Sequence, residues 1–87
     1  MIFKELANHS DLDISTFTGE FKCTILSNRA IFVQNYIKIL VYSSEKLTLK
    51  LKNKYFIVVG EDLAIKEMGK KEAVVVGKFN SFSYDMV

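Results

Sequence analysis

Few side chains in this 87-residue chain have types and spacings suited to catalysis. Its single cysteine, Cys23, and single histidine, His9, could form a thiolate and imidazole pair. Cys23 lies in an apolar segment, however, where a thiol packs as a small hydrophobic group, and no third residue is placed to orient the imidazole. Asp11 and Asp13 could bind a divalent cation, but no further acidic residues follow at the spacing of a calcium loop. The sequence therefore predicts no enzyme activity, cofactor or metal site.

A row of lysines next to aromatic residues is the best candidate for binding a charged ligand: Lys46, Lys50, Lys52 and Lys54. Small β-barrels bind single-stranded nucleic acid through a basic groove and stacking aromatics. Lysines on a solvent-facing strand also protect a sheet from aggregation, and no run of aromatics here forms a stacking platform. The net charge is only +2. A nucleic-acid-binding module is therefore the alternative prediction.

Aromatic residues form the second group of candidates. By their spacing, Phe82 and Tyr84 share one strand face, while Phe79 lies on the other unless a bulge intervenes near Gly77. Aromatics on both faces of a strand suggest that both faces are covered, so we expect an apolar surface that is buried in a complex. With two upstream tyrosines, the predicted interaction residues are Tyr36, Tyr42, Phe79, Phe82 and Tyr84.

Short β-strands are expected to position these residues, because apolar and polar residues alternate with a period of two through much of the chain. Leucines and lysines alternate from Lys46 to Lys52, so the leucines share one face. Residues 37–42 alternate in the same way, and 55–59 form an unbroken apolar run, typical of a strand covered on both faces. Further strands are predicted at residues 21–26, 30–34, 63–67, 73–77 and 79–84.

The separators between these strands are short, which leaves no room for helical crossovers. We therefore predict an all-β fold, a small antiparallel meander that forms a sandwich or roll of about seven to eight short strands. A compact β-solenoid is the alternative architecture. Gly60, Gly69 and Gly77 fit neither a phosphate loop nor a dinucleotide motif. We expect them to provide positive φ angles or a close approach of backbones.

The length and composition predict one domain over residues 1–87, with an N-terminal segment at 1–13 and a β core at 14–87. The segment could form a short helix that covers a sheet face or docks on a membrane or partner, since its apolar residues share one side of a helical wheel: Ile2, Phe3, Leu6 and Ala7. Neither a signal peptide nor a run of about 20 apolar residues is present. We therefore expect a cytoplasmic protein without a membrane span.

Three stretches, in their order and spacing, resemble the YabP/YqfC family of sporulation proteins. Residues 35–43 are similar to the family segment Asn-His/Tyr-x-x-Ile-Leu-x-Tyr-Ser/Thr. Residues 60–68 resemble its Gly-x-x-Leu-x-Ile-Lys/Arg pattern, and residues 77–84 resemble its closing Gly-x-Ile-x-Ser-Leu-x-Tyr. The resemblance extends over residues 20–85, and the first stretch is more similar to the YqfC-like branch.

This resemblance implies a small non-enzymatic sporulation factor that contributes to endospore envelope assembly, in the coat or cortex. It implies a place in the mother-cell cytoplasm, peripheral to the forespore membrane, and a membrane-associated sporulation protein as partner. No catalytic residue carries over from the family. We also expect a homo-oligomer, and the backbone groups at sheet edges favour β-augmentation as the mode of association.

Overall fold

The computed structural model describes residues 20–86, which form one six-stranded sheet. Its strands are β1 (Lys22–Ser27), β2 (Ala30–Gln34), β3 (Lys38–Tyr42), β4 (Lys46–Lys50), β5 (Lys54–Met68) and β6 (Glu72–Met86). Their order across the sheet is β1-β2-β6-β5-β4-β3, and all neighbours are antiparallel. The all-β antiparallel prediction is confirmed, and residues 20–86 do not form the alternative solenoid. The predicted N-terminal segment 1–13, with His9, Asp11 and Asp13, lies outside the described residues.

The described residues form six strands rather than the predicted seven to eight, because the predicted strand breaks at residues 60–62 and 78 lie inside continuous strands. β5 runs through residues 60–62 and β6 runs through Gly77, each strand being 15 residues long. Three register shifts interrupt their pairing between residues 59 and 67 of β5. Such bulges bend a strand without ending it, so the glycine-containing separators mark bends in one long hairpin.

The hairpin formed by β5 and β6 runs through the whole sheet, and its two ends pair with different short strands. We call the resulting parts the β1–β2 half and the β3–β4 half. In the β1–β2 half, β2 pairs with residues 72–76 of β6, which pair in turn with residues 64–68 of β5. In the β3–β4 half, β4 pairs with residues 55–59 of β5, which pair with residues 81–85 of β6. Each half is therefore built from its own pair of short strands and a different part of the same hairpin.

The inner faces of the two halves pack together into one hydrophobic core. Its buried members come from both halves: Ile31, Val33, Ala73 and Val75 from the β1–β2 half, and Leu47, Leu49, Phe56 and Val58 from the β3–β4 half. Leu47 and Leu49 lie on the same face, as their alternation with lysines predicts. Burying a side chain of this size stabilises the fold by about 1.5–3 kcal/mol.

The outer faces of the two halves differ. In the β1–β2 half, Phe32 and Val74 alternate with core residues, yet they are only 7% and 2% exposed. In the β3–β4 half, Val41 and Val59 occupy the outer face and are 43% and 38% exposed. The expectation that residues 55–59 are covered on both faces is therefore wrong, because only the inward-facing side chains of this run are buried.

Two glycines occupy the bends of the hairpin, where backbones approach too closely for a side chain. A Cβ atom on Gly60 would collide with the carbonyl oxygen of Lys78. Gly77 has a φ of 143°, and a Cβ atom there would lie 2.9 Å from the carbonyl oxygen of Asp62. The predicted backbone role is confirmed for both glycines.

The turns that join the shorter strands hold these bends in place. The N–H of Gly60 donates to the carbonyl of Glu45 in the β3–β4 turn, at 2.9 Å. The N–H of Gly77 donates to the carbonyl of Arg29 in the β1–β2 turn, at 3.0 Å. The bend positions are therefore fixed by contacts distant in sequence.

Candidate interaction surfaces

β3 forms one edge of the sheet and exposes apolar side chains along most of its length. It pairs with β4 on one side, and no strand among residues 20–86 pairs with its other side. Exposed large hydrophobic residues lie on it or next to it: Ile37, Leu40, Val41 and Tyr42. An uncovered edge presents a row of backbone N–H and C=O groups that can pair with another chain.

The opposite edge, β1, is better covered. Four of its six residues, Lys22–Thr24 and Leu26, are half-buried, whereas four of the five residues of β3 are exposed. Cys23 packs against the core from β1, and Ile25 is the large apolar side chain that β1 exposes. β3 is therefore the more accessible of the two edges.

A bulge at Leu40 changes which faces the side chains of β3 occupy. Ile39 pairs with Leu49, but the next pair joins Val41 to Thr48, which leaves Leu40 without an opposite residue. Simple alternation predicts Lys38 and Tyr42 on one face. The bulge instead places Lys38 on the outer face and Tyr42 on the inner one.

Tyr42 is half exposed, and its hydroxyl is held in a fixed position. The backbone N–H of Ile65 donates a hydrogen bond to this hydroxyl at 2.9 Å. Ile65 lies in the part of β5 that belongs to the β1–β2 half. Tyr42 therefore connects the two halves while part of its ring remains accessible.

Two lysines lie directly opposite each other on the outer face next to the β3 edge. Lys38 of β3 pairs in register with Lys50 of β4, and the Lys50 Nζ atom lies 5.5 Å from the centre of the Tyr55 ring. Neither lysine forms an ion pair with any residue in the 20–86 range. Like charges at directly opposite positions destabilise a sheet. The positive charges of this pair are therefore not balanced by a carboxylate among the described residues.

A cross-strand pair elsewhere in the sheet has the opposite arrangement. Glu61 of β5 lies opposite Lys78 of β6, and the Nζ atom of the lysine is 3.7 Å from the Oε2 atom of the glutamate. Lys38 was not among the predicted interaction residues, because its partner across the strands depends on register. The only sequence signal for a role of Lys38 was that it is the one charged residue in the otherwise apolar or aromatic stretch 37–42.

The four lysines predicted as a nucleic-acid face do not share one surface. Lys46 and Lys50 project from the outer face at the two ends of β4, and Lys52 lies in the β4–β5 turn. Lys54 begins β5, and its Nζ atom lies 4.1 Å from the centre of the Tyr84 ring, towards the inner side. The structure thus divides the row between two faces and a turn.

Aromatic rings gather on the inner side of the β3–β4 half. Phe56 lies at their centre: its ring is 4.8 Å from that of Phe21, 5.4 Å from Tyr84 and 6.1 Å from Phe82, centre to centre. The rings of Phe56 and Phe82 are nearly parallel, at 11°. Phe82 and Tyr84 are partly exposed, so they form the accessible side of this cluster.

Phe79 joins the same cluster because of a bulge. It pairs with Gly60, while Ser81 pairs with Val59, so Asn80 is the extra residue. The ring centre of Phe79 lies 5.5 Å from that of Phe82, and the side chain packs against the core. The bulge considered near Gly77 therefore exists, three residues further along the strand.

Tyr36, in contrast, is not part of an accessible surface. It is 5% exposed and belongs to the core. Burial, and next the negative charge of Glu72, raise the pKa of its hydroxyl above the ordinary value. Of the five predicted interaction residues, the structure brings Phe79, Phe82 and Tyr84 together, leaves Tyr42 near the β3 edge and buries Tyr36.

A cleft of about 600 Å³ opens beside Tyr36. Lys52, Lys54 and Lys71 line it together with Asn35. Asn35 has a φ of 65°, and its backbone N–H donates to the carbonyl of Lys71 at 2.7 Å. This asparagine therefore fixes the end of β2 to the β5–β6 turn at the wall of the cleft.

Cys23 behaves as the sequence predicts for a small apolar side chain. It packs against the core, and burial raises the pKa of its thiol to about 11. The thiol is therefore protonated at neutral pH, which makes it a weak nucleophile. Within residues 20–86, no group of three or more His, Cys, Asp and Glu side chains is placed to hold a metal ion.

Comparison with known proteins adds one result. A family model described as the YabP family matches residues 18–87, which include every strand of the sheet. No curated protein and no solved structure matches the chain. The part of the chain described by the structure contains no helix that is both long and apolar enough to cross a membrane.

Proposed function

We propose, because this chain belongs to the YabP family, that it is a small interaction module used in endospore formation. Membership of this family suggests a sporulation-related protein. Within that role, we propose that it contributes to assembly of the spore envelope, in the coat or cortex, as a member of the YqfC-like branch. Its place would be the mother-cell cytoplasm, at the periphery of the forespore membrane, beside a membrane-associated partner.

The exposed β3 edge is the observation that carries this proposal. A strand from a partner can add to the edge and use its backbone groups, while side chains on both faces determine which partner fits. Leu40, Val41 and Tyr42 offer apolar contacts for such a strand. The protonated, core-packed thiol of Cys23 supports a non-enzymatic role.

The aromatic cluster supports a second contact, with another copy of this chain. Phe82 and Tyr84 are exposed at its rim, and aromatic side chains contribute strongly to interfaces. We expect Tyr84→Ala and Phe82→Ala to weaken self-association in sedimentation experiments. Met68→Ala is the matched control, because Met68 is exposed near the β5–β6 turn. A chain that remains a monomer at all concentrations would contradict self-association.

Nucleic-acid binding is the alternative function. Lys46 and Lys50 share the outer face with Tyr55, which could stack on a base. The division of the four lysines between two faces and a turn makes this function less favoured. A salt titration separates the two, because binding to phosphates weakens steeply as salt rises, whereas apolar association does not.

The biological role is tested by deleting the gene in the source organism and counting heat-resistant spores. We expect a large loss that a wild-type copy restores. A copy carrying Tyr42→Ala and Val41→Ala tests the edge, and one carrying Met68→Ala is the control. An unchanged spore count after deletion would contradict the proposed role.

A further inference from the structure

We propose that β3 binds an extended, largely apolar strand of a partner protein that carries an acidic side chain next to Lys38. This inference rests on the proposed interaction role and specifies which edge is used and what chemistry the partner has. It follows from three features of the same edge: a backbone that no strand within residues 20–86 covers, exposed apolar side chains, and a pair of lysines without an ion-pair partner in that range.

The lysine pair defines the acidic position. Lys50 and Lys38 occupy successive places in one row across the outer face, on β4 and β3. A strand added beside β3 continues this row at the usual spacing of about 4.8 Å between strands. An acidic side chain at that place lies directly opposite Lys38 and about one Debye length from Lys50, two strands away. It would add one negative charge at the end of the row, beside the two adjacent lysines.

The remaining positions of the edge define the apolar character. Val41 is on the outer face of β3, and Tyr42 and Ile39 are on the inner face. Val41 and Tyr42 are exposed, and Ile39 is half-buried. Residues opposite these three positions would be apolar on both faces of the incoming strand. Lys38 is the only charged residue of β3, so the partner strand needs one acidic residue only.

A second copy of β3 fits this edge poorly. β3 contains no carboxylate, so a second copy would bring no acidic residue to the row of Lys50 and Lys38. Symmetric pairing around Leu40 would also place two bulges against each other, which leaves their backbone groups without partners. The charge and the register therefore favour a different protein with an acidic strand.

The binding test uses a fluorescein-labelled peptide of about nine residues, the length of a typical strand, in which valine and threonine alternate. One threonine position carries glutamate, and alternate backbone N-methyl groups on one edge prevent the peptide from aggregating. Matched peptides carry glutamine or lysine at that position. We expect the glutamate peptide to bind about tenfold more tightly than the lysine peptide. Lys38 attracts the glutamate across the strands, whereas it repels the lysine.

Charge reversal in the protein provides the matching variant. Lys38→Glu should reverse the preference, so that the lysine peptide binds more tightly than the glutamate peptide. Lys66→Glu is the control, because Lys66 is an exposed lysine in the other half of the sheet. An increase in the Tm of Lys38→Glu shows that its altered binding is not caused by misfolding.

Amide hydrogen exchange locates the contact. Peptide binding should slow exchange within residues 38–42 and leave β1 unchanged. Three results would overturn the proposal. The first is equal affinity for the three peptides, and the second is protection of β1 instead of β3 by the peptide. The third is exchange in β3 that slows when the protein concentration is raised without peptide. So would a thymidine oligonucleotide that displaces the glutamate peptide more effectively than unlabelled peptide does.

Spore counts separate this inference from the proposed function. If deletion lowers the count, and Lys38→Glu fails to restore it while Lys66→Glu succeeds, both are supported. If Lys38→Glu restores the count fully, the β3 inference fails and the sporulation role remains. If deletion has no effect but the peptide preferences hold, the sporulation role fails and the binding mode remains.

Discussion

The two halves of the sheet share one hairpin but present different outer faces. The β1–β2 half is buried on both sides around Phe32 and Val74. The β3–β4 half is buried on its inner side, whereas its outer face buries Thr48 but exposes Val41 and Val59. This half also contains the exposed β3 edge and the pair of Lys38 and Lys50, which has no ion-pair partner within residues 20–86. The candidate binding surface therefore lies entirely in the half with one uncovered face.

The short strands explain this difference. β2 has the sequence Ala-Ile-Phe-Val-Gln, with four apolar residues in succession, while β4 reads Lys-Leu-Thr-Leu-Lys. A continuous apolar run is typical of a strand buried on both faces, and strict alternation is typical of one that faces water on one side. The outer face of each half is therefore determined by the short strand next to the hairpin, which is β2 in one half and β4 in the other.

Truncation of the covered outer face should give the largest effect. Phe32→Ala should lower the free energy of unfolding by about 3–5 kcal/mol, because it removes a buried ring. Val41→Ala, on the open outer face, should cost less than about 1 kcal/mol. Urea denaturation of both variants measures the difference, and equal losses would show that the two outer faces are not distinct.

Substitution at the bend between the halves should have the next largest effect. Gly60→Ala should cost about 2–3 kcal/mol, because its new Cβ atom meets the rigid backbone of Lys78. Gly69→Ala is the control: its Cβ atom would meet side-chain atoms of Glu72, which can shift, rather than backbone, and we expect a loss below about 1 kcal/mol. Comparable urea midpoints for the two variants would contradict a specific role of the bend.

Alkaline pH should weaken the β1–β2 half through Cys23. Burial raises the pKa of its thiol from 9.0 to about 11 in the folded chain. The folded state therefore holds the proton more tightly, so this stability is complete below about pH 9 and is lost as the pH rises towards 11. We expect a loss of about 1–2 kcal/mol relative to Cys23→Ala over that range, less than the full shift would give, because the thiol is only partly buried and solvent screens it. The measurement is the free energy of unfolding in urea as a function of pH. If it changes in the same way for wild type and Cys23→Ala, the thiol makes no such contribution.

Relief of the charge repulsion in the β3–β4 half should give the smallest effect. Lys38→Glu should stabilise the free protein by about 0.2–1 kcal/mol, because it places opposite charges across the strands. The gain should disappear at about 1 M salt, where exposed charges are screened. Glu61→Lys should produce a loss of similar size, since Glu61 lies opposite Lys78. A destabilised Lys38→Glu in thermal melts would indicate that Lys38 has a favourable partner.

Local patterns in the sequence predicted the strands well. The alternation at Lys46–Lys50 and the boundaries of Ala30–Gln34 agree with the structure, because both depend only on which face of a short strand is apolar. The separators at Gly60 and Gly77 were interpreted as strand ends. They are bends, because hydrogen bonds from distant turns hold the chain there, and a local pattern contains no information about such contacts.

The candidate surfaces were less predictable than the strands. Tyr84 and Phe82 are accessible as expected from the sequence, but Tyr36 is buried, since the positive φ of Asn35 turns the chain before it. The opposition of Lys38 and Lys50 depends on the pairing of two strands and on where a bulge falls. Register and bulges result from the packing of the whole sheet, so the most informative charge pair could not be derived from spacing alone.

The shared hairpin also determines the order in which the chain can complete its fold during synthesis. Each half combines a stretch from early in the chain with one from later: the β3–β4 half needs residues 81–85 of β6 next to β5. Until that last stretch leaves the ribosome, Phe56 lacks the rings of Phe82 and Tyr84. The nascent chain therefore exposes an incomplete core until residues 81–85 have emerged, and non-local pairing of this kind slows folding. A chaperone that binds exposed apolar segments would therefore have a site on this domain from the emergence of β4 and β5 until β6 pairs with β5.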